Sequence, residues 1–235
     1  MSHRHQPFNV ADPKVFVVYE DHDILVVDKP FGLLTIRDEA GHANLYSLLY
    51  DYVREERERD SHLFVVHRLD RDTSGLLVFA KNLRTKYELQ ACFEDGSVER
   101  KYEAVAVGNA IRVGERRRLV IYLDQDRFHR VFVTHKGQGK ECVTDLTCLA
   151  RKGKLAYLEI SILTGRRNQI RLSLAQLGMP VLGDVKYGGI RAQRLFLNAY
   201  ELRFPKDLGL KKDAFSIPRR FEGYFGKDGD SNGEA

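Results

Sequence analysis

Short β-branched runs separated by polar turns set the pattern of this chain. Residues 15–19 and 24–28 flank the polar tetrapeptide EDHD at 20–23, which predicts a β-hairpin ending in Lys29-Pro30. Further apolar runs at 63–66, 76–80, 102–107, 119–123, 130–134, 143–149 and 155–163, many bounded by Gly or Asp, predict strands. Helical periodicity is rarer. Residues 44–59 place Leu45, Leu48, Leu49, Tyr52 and Val53 on one stripe, and 83–94 and 168–177 form two more candidates. The run REERERD at 54–60 reads as the solvated end of the first helix. Strands in long blocks, with helices interposed irregularly, predict an α+β fold on a central, mainly antiparallel mixed β-sheet with flanking helices rather than a doubly wound one.

Composition narrows the class. With 43% apolar and 30% charged residues, the chain reads as globular, and without repeats or low-complexity breaks residues 13–226 form one folded unit. Polar stretches at 1–12 and 227–235 have little to bury and are expected to be disordered. The longest apolar runs, of four to six residues, are far short of the roughly 20 needed to span a bilayer. No membrane partner is expected, and the polar N-terminus lacks a signal sequence, which predicts a cytoplasmic protein. Three cysteines without CxxC spacing indicate reduced thiols rather than disulfides or a zinc site. The formal net charge of +5 permits a nucleic-acid partner without demanding one.

Two segments carry candidate chemistry. HRLDRDTSG at 67–75 is the densest polar stretch, clamped between apolar runs. Asp, Ser, Thr and Gly are ordinary turn formers, but two carboxylates and two guanidiniums within five residues exceed what a turn needs. Leu69 between Arg68 and Asp70 breaks the kinase catalytic-loop pattern, and Ser74 lies outside a G-x-S-x-G elbow. The second segment, LTGRRNQIRL at 163–172, turns at Gly165 into a helix on which Asn168 and Arg171 share a face. Three arginines around a helix start attract anions. The Gly-rich stretch GMPVLGDVKYGG at 178–189 has neither Walker nor dinucleotide spacing and reads as a packed connection. Tyr102, opening a strand in RKYEA, reads alone as core packing.

In company these segments resemble the RluA-type RNA pseudouridine synthases. HRLDRDTSGLLVFAK is joined in order by VVDKPFGLL at 26–34, KYEAVAVG at 101–108, TGRRNQIR at 164–171, GMPVLGDVKYG at 178–188 and RLFLNAYELRF at 194–204. The resemblance implies an isomerase that converts uridine in rRNA or tRNA to pseudouridine as a monomer, with no cofactor or metal. It implies Asp70 as the essential aspartate, Tyr102 as the ring that stacks on the uracil and Arg171 as the partner of the aspartate. Arg68 matches an arginine that fills the place of the extruded base. Arg71, Arg166, Arg167 and Gln169 are the further RNA-facing positions. The family usually has His where Asn168 and Asn198 stand. With no room before residue 15 for the small RNA-binding domain that some relatives carry, recognition is expected from the catalytic unit itself. The competing reading is a non-catalytic RNA-binding protein that retains the fold.

Overall fold

Asp21 closes the predicted hairpin: its Oδ1 accepts from the backbone N–H groups of Asp23 and Ile24, both at 2.8 Å. In the computed structural model, which describes residues 13–56 and 62–226, strand β1 (Val17–Glu20) thereby pairs antiparallel with β2 (Ile24–Lys29). The segments 1–12 and 227–235 and the distal part of the charged run 54–60 lie outside the described residues.

The remaining strands follow as β3 (Phe64–Val65), β4 (Ser74–Ala80), β5 (Glu99–Val107), β6 (Arg116–Gln125), β7 (Val131–Thr134), β8 (Lys140–Lys152), β9 (Leu155–Ile162), β10 (Leu197–Arg203) and β11 (Ala214–Ser216). They form a single mixed sheet in the order β1-β2-β4-β10-β5-β9-β8-β6-β7, with β3 on β4 and β11 on β10. Among the described residues only β4 and β10 run parallel, meeting at Ser74–Asn198 and Gly75–Ala199. The architecture is the predicted α+β fold on a mainly antiparallel sheet.

Both faces at the centre of the sheet are covered. Asn44 caps α1 (Leu45–Glu56) by accepting from the Ser47 N–H at 3.0 Å. The helix then delivers Leu45, Leu49 and Val53 onto Leu25, Val27, Leu77 and Phe79. Asn82 caps α2 (Leu83–Asp95) through the Thr85 N–H, and this helix sets Leu89 and Cys92 against Ile24, Val26, Leu76 and Val78. Alternate residues of β2 and β4 thus feed opposite cores, and this is why both strands read as continuous apolar runs. The third helix, α3 (Gln169–Gln176), packs Leu172 on Ile121, Leu123 and Cys142 of the outer strands. No helix among the described residues is long and apolar enough to cross a membrane.

The apolar pattern missed β10 and β11. Strand β10 lies next to β4 and β5 in the sheet, yet its LNAYELR sequence carries Asn198, fully buried, and Glu201 in place of clean alternation. Asn198 is satisfied by side chains 124 and 95 residues away in sequence, partners that no local window contains.

Candidate active site

A cleft of about 1460 Å³ opens where the loop before β4, the start of β5 and the N-terminus of α3 converge. The loop 67–73 is pinned from outside rather than by its own aspartates. Thr35 Oγ1 donates to the Leu69 carbonyl at 2.8 Å. The fully buried Lys29 ammonium donates to the carbonyls of Pro30, Leu33 and Arg71 at 2.9, 2.7 and 2.9 Å. Burial pushes the Lys29 pKa down to about 7, against the opposing pull of the Asp72 and Asp70 charges. His67 is held neutral in the same framework. Its Nε2 accepts from the Val78 N–H at 3.1 Å, its ring stacks on Phe93 at 4.3 Å, and burial drives its pKa to about 3. With the backbone so fixed, Asp70 projects into the cleft with its side chain about one quarter exposed (26%).

Tyr102 lies on the cleft floor in β5, 7% exposed. Burial raises its hydroxyl pKa above the ordinary value, Arg100 opposes the rise and the Asp70 charge adds to it. The ring therefore stays neutral at physiological pH and offers an apolar face.

Arg171 projects from the first turn of α3 and brings one arm to the cleft. Its Nη1 lies 3.5 Å from Asp70 Oδ2, but its main partner is Asp184. Nε and Nη2 each donate to that carboxylate at 2.7 Å, and Nη1 also donates to Asn168 Oδ1 at 3.0 Å. Burial alone would favour the neutral guanidine, but Asp184 and then Asp70 outweigh it, so the pKa rises. Arg171 thus lies between two carboxylates, Asp70 in the cleft and the buried Asp184 that holds it in place. Asn168, in the left-handed region at φ 57°, starts α3 and donates from Nδ2 to the Tyr187 hydroxyl at 2.9 Å. The Gly-rich segment does form a packed connection, and it also supplies Asp184 and Tyr187 to this cluster.

Arg68, Arg71, Arg166 and Arg167 all line the cleft. Arg68, Arg166 and Arg167 are exposed, and Arg167 reaches across to donate to the His129 carbonyl in the loop between β6 and β7. Gln169 also lines the cleft, but its side chain is turned to protein partners. It is 2% exposed, its Nε2 donates to Val143 O and Thr144 Oγ1, and its Oε1 accepts from Thr164 Oγ1 and the Arg166 N–H. These hydrogen bonds tie the turn that presents Arg166 to β8. Among the described residues no group of three or more His, Cys, Asp or Glu could hold a metal ion.

Sequence reading missed a buried network behind the loop. Asn198 Oδ1 accepts from Ser74 Oγ at 2.7 Å, and Asn198 Nδ2 donates to Glu103 Oε1 at 2.8 Å. Glu103 also accepts from the Tyr157 hydroxyl and from the backbone N–H groups of Arg220 and Phe221. This carboxylate ties the Tyr102 strand, the end of the Asp70 loop and the C-terminal segment together. A charged residue inside an apolar strand was the only local signal of it.

Comparison with known proteins follows the same lines. The family model described as RNA pseudouridylate synthase matches residues 23–176. The ribosomal large subunit pseudouridine synthase D of Borreliella burgdorferi is 31% identical over 232 residues, covering 92% of this chain and 68% of that protein. Its namesake in Pseudomonas aeruginosa is 35% identical over 184 residues, covering 76% of this chain and 55% of that protein. The chain therefore spans between about half and two thirds of the length of these relatives. The structure of human RNA pseudouridylate synthase domain containing 4 matches with a TM-score of 0.71 over 88% of this chain and 89% of that one. At 21% identity that likeness shows the fold.

Proposed function

The chain belongs to the RNA pseudouridylate synthase family, and on that premise we propose that Asp70 is the catalytic carboxylate of a uridine-to-pseudouridine isomerase. The observation that carries the proposal is the Asp70–Arg171 approach of 3.5 Å inside a cleft that also holds Tyr102. The reaction breaks the N1–C1′ bond of uridine, turns the base and joins C5 to C1′, releasing the C5 proton while N1 gains one. Substrate and product have the same mass. Attack on C1′ and removal of a ribose proton are both chemistry for a carboxylate at the sugar, and Asp70 in the cleft beside Arg171 is the group we assign to it.

Tyr102 is the platform for the detached uracil, where stacking contributes on the order of 1–3 kcal/mol per base. A target base must leave its stack to reach the floor of the cleft, and the role we assign to the exposed, cleft-lining Arg68 is to fill the gap with its planar guanidinium. Arg71, Arg166 and Arg167 supply positive charge for the RNA backbone. The substrate we propose is ribosomal RNA, supported by the names of the relatives.

Tritium release from total RNA labelled at uracil C5 tests the reading. Wild type should release label and Asp70→Ala should not, with unchanged thermal stability because Asp70 is partly exposed. Release of free uracil would indicate a glycosylase, and no release from any RNA would indicate a non-catalytic binder. Mapping pseudouridines in ribosomal and transfer RNA from cells with and without the gene identifies the substrate.

A further inference from the structure

Arg100 is a buried cation without a matching anion. It precedes Tyr102 by two residues on β5, so both side chains project from the same face, one pleat repeat or roughly 7 Å apart along the strand. Arg100 is 6% exposed and lines the cleft. Its guanidinium packs 5.7 Å from the Phe93 ring, whose neighbour His67 is neutral. Of its five N–H groups, one is committed, from Nη2 to the Leu163 carbonyl at 3.2 Å. Its Nε is shielded and has no partner, and among the described residues no carboxylate lies within 4 Å of it. Glu94 and Asp95 rim the same end of the cleft and are exposed.

Three other buried or half-buried cations among the described residues are provided for. Arg171 has Asp184, Lys29 has three carbonyls and Arg151 has four oxygen acceptors. Arg71, whose Nε also lacks a partner, is partly exposed. Burial without a counter-charge costs stability, and it lowers the Arg100 pKa. The turn over the guanidinium is fitted to it as well: a Cβ on Gly165 would come within 2.5 Å of Arg100 Nη1. The head group is therefore clamped between Phe93 and a glycine at the wall of the cleft.

We propose that Arg100 binds a backbone phosphodiester of the RNA strand that carries the target uridine, with Arg166 of the adjoining turn as its exposed companion. A phosphodiester supplies the charge that Arg100 lacks and accepts the fork of donors in a bidentate way. The spacing from Tyr102 places that contact beside the nucleotide whose base rests on the tyrosine. This inference rests on the synthase reading for the identity of the strand, whereas the anion contact is measured separately.

The test is binding of a fluorescein-labelled 12-nucleotide oligouridylate across 50–300 mM KCl by wild type, Arg100→Gln, Arg100→Lys and Gly165→Ala. Arg100→Gln should bind about tenfold more weakly at the lowest salt, with the slope of log K against log salt reduced by about 0.7, one single-strand phosphate. Arg100→Lys should keep the slope, and Gly165→Ala, whose methyl group displaces Nη1, should lose it in part. Thermal stability of Arg100→Gln should be equal to or above wild type, since an unmatched buried charge is removed. A wild-type slope in Arg100→Gln, or a stability loss with an unchanged slope, overturns the proposal and makes Arg100 a structural strut. Were Arg100→Gln not to fold, a wild-type slope in Gly165→Ala would overturn it. Tritium release by wild type decides the synthase reading independently. A slope change without release removes that reading alone, and release without a slope change removes this one alone.

Discussion

Arg171 and Asp184 face each other in a bidentate pair, both hydrogen bonds 2.7 Å long, with the Asp184 side chain 1% exposed. The pair matches charge for charge inside the protein, so the remaining arm of Arg171 meets Asp70 as an already anchored group. Removing one member of a buried ion pair is far costlier than the net worth of the pair, typically about 3–5 kcal/mol. Asp184→Asn should therefore lower urea stability by an amount of that order. Its residual turnover should fall through kcat more than KM, because Arg171 is no longer held at its angle to Asp70. Unchanged stability and kcat would remove Asp184 from this role.

The neutral state of His67 sets an acid limit. Its pKa is about 3 in the folded chain against about 6.5 unfolded, so the unfolded state binds more protons between these values. Stability should be full above about pH 6.5 and be lost progressively as the pH falls toward 3, by up to about 4–5 kcal/mol from this group. Chemical denaturation at a series of pH values measures the slope. His67→Gln, which keeps an acceptor for the Val78 N–H but cannot charge, should flatten it.

Gly75 permits the parallel meeting of β4 and β10. Its φ is +115°, and a Cβ there would stand 2.1 Å from the Ala199 carbonyl oxygen. Gly75→Ala should force the strands apart and cost more than about 3 kcal/mol, read as a large drop in melting temperature or as insoluble protein. A variant that melts like wild type would show that the strands can separate freely.

Asn168 joins a backbone task to a side-chain task. Its left-handed φ suits Asn or Gly, and its Oδ1 holds Arg171 Nη1. Asn168→Gly should keep the turn and lose the side-chain contact, giving near-normal stability with slower turnover. Asn168→Ala should lose both, with an added cost of about 1–2 kcal/mol. Equal stability of the two variants would show that the φ value carries no strain.

Much of this was legible locally. The hairpin of β1 and β2, the three helices and most strands follow from periodicity and from Asn44, Asn82 and Asp21 at their boundaries. The loop 67–75 and the turn 164–171 were identifiable because charged residues sit there between apolar runs. Three things were not legible: the placement of β10 at the centre of the sheet, the Glu103–Asn198–Ser74 network, and Asp184 as the main partner of Arg171. Gln169, in the middle of a motif, is buried because the whole start of α3, from Asn168 to Leu174, is enclosed, which local periodicity does not announce.

The linear order of apolar and polar residues was enough to establish which segments form strands and helices, and which two segments carry charge into the interior. Propensity, capping and turn chemistry act over a few residues, so they are written into neighbouring letters of the chain. The identity of each buried charge's partner was decided only when the sheet closed. Desolvation makes an unmatched ion costly wherever it lies, and the group that offsets it is chosen by three-dimensional proximity: Asp184 for Arg171, three carbonyls for Lys29, and for Arg100 the Leu163 carbonyl with no carboxylate among the described residues.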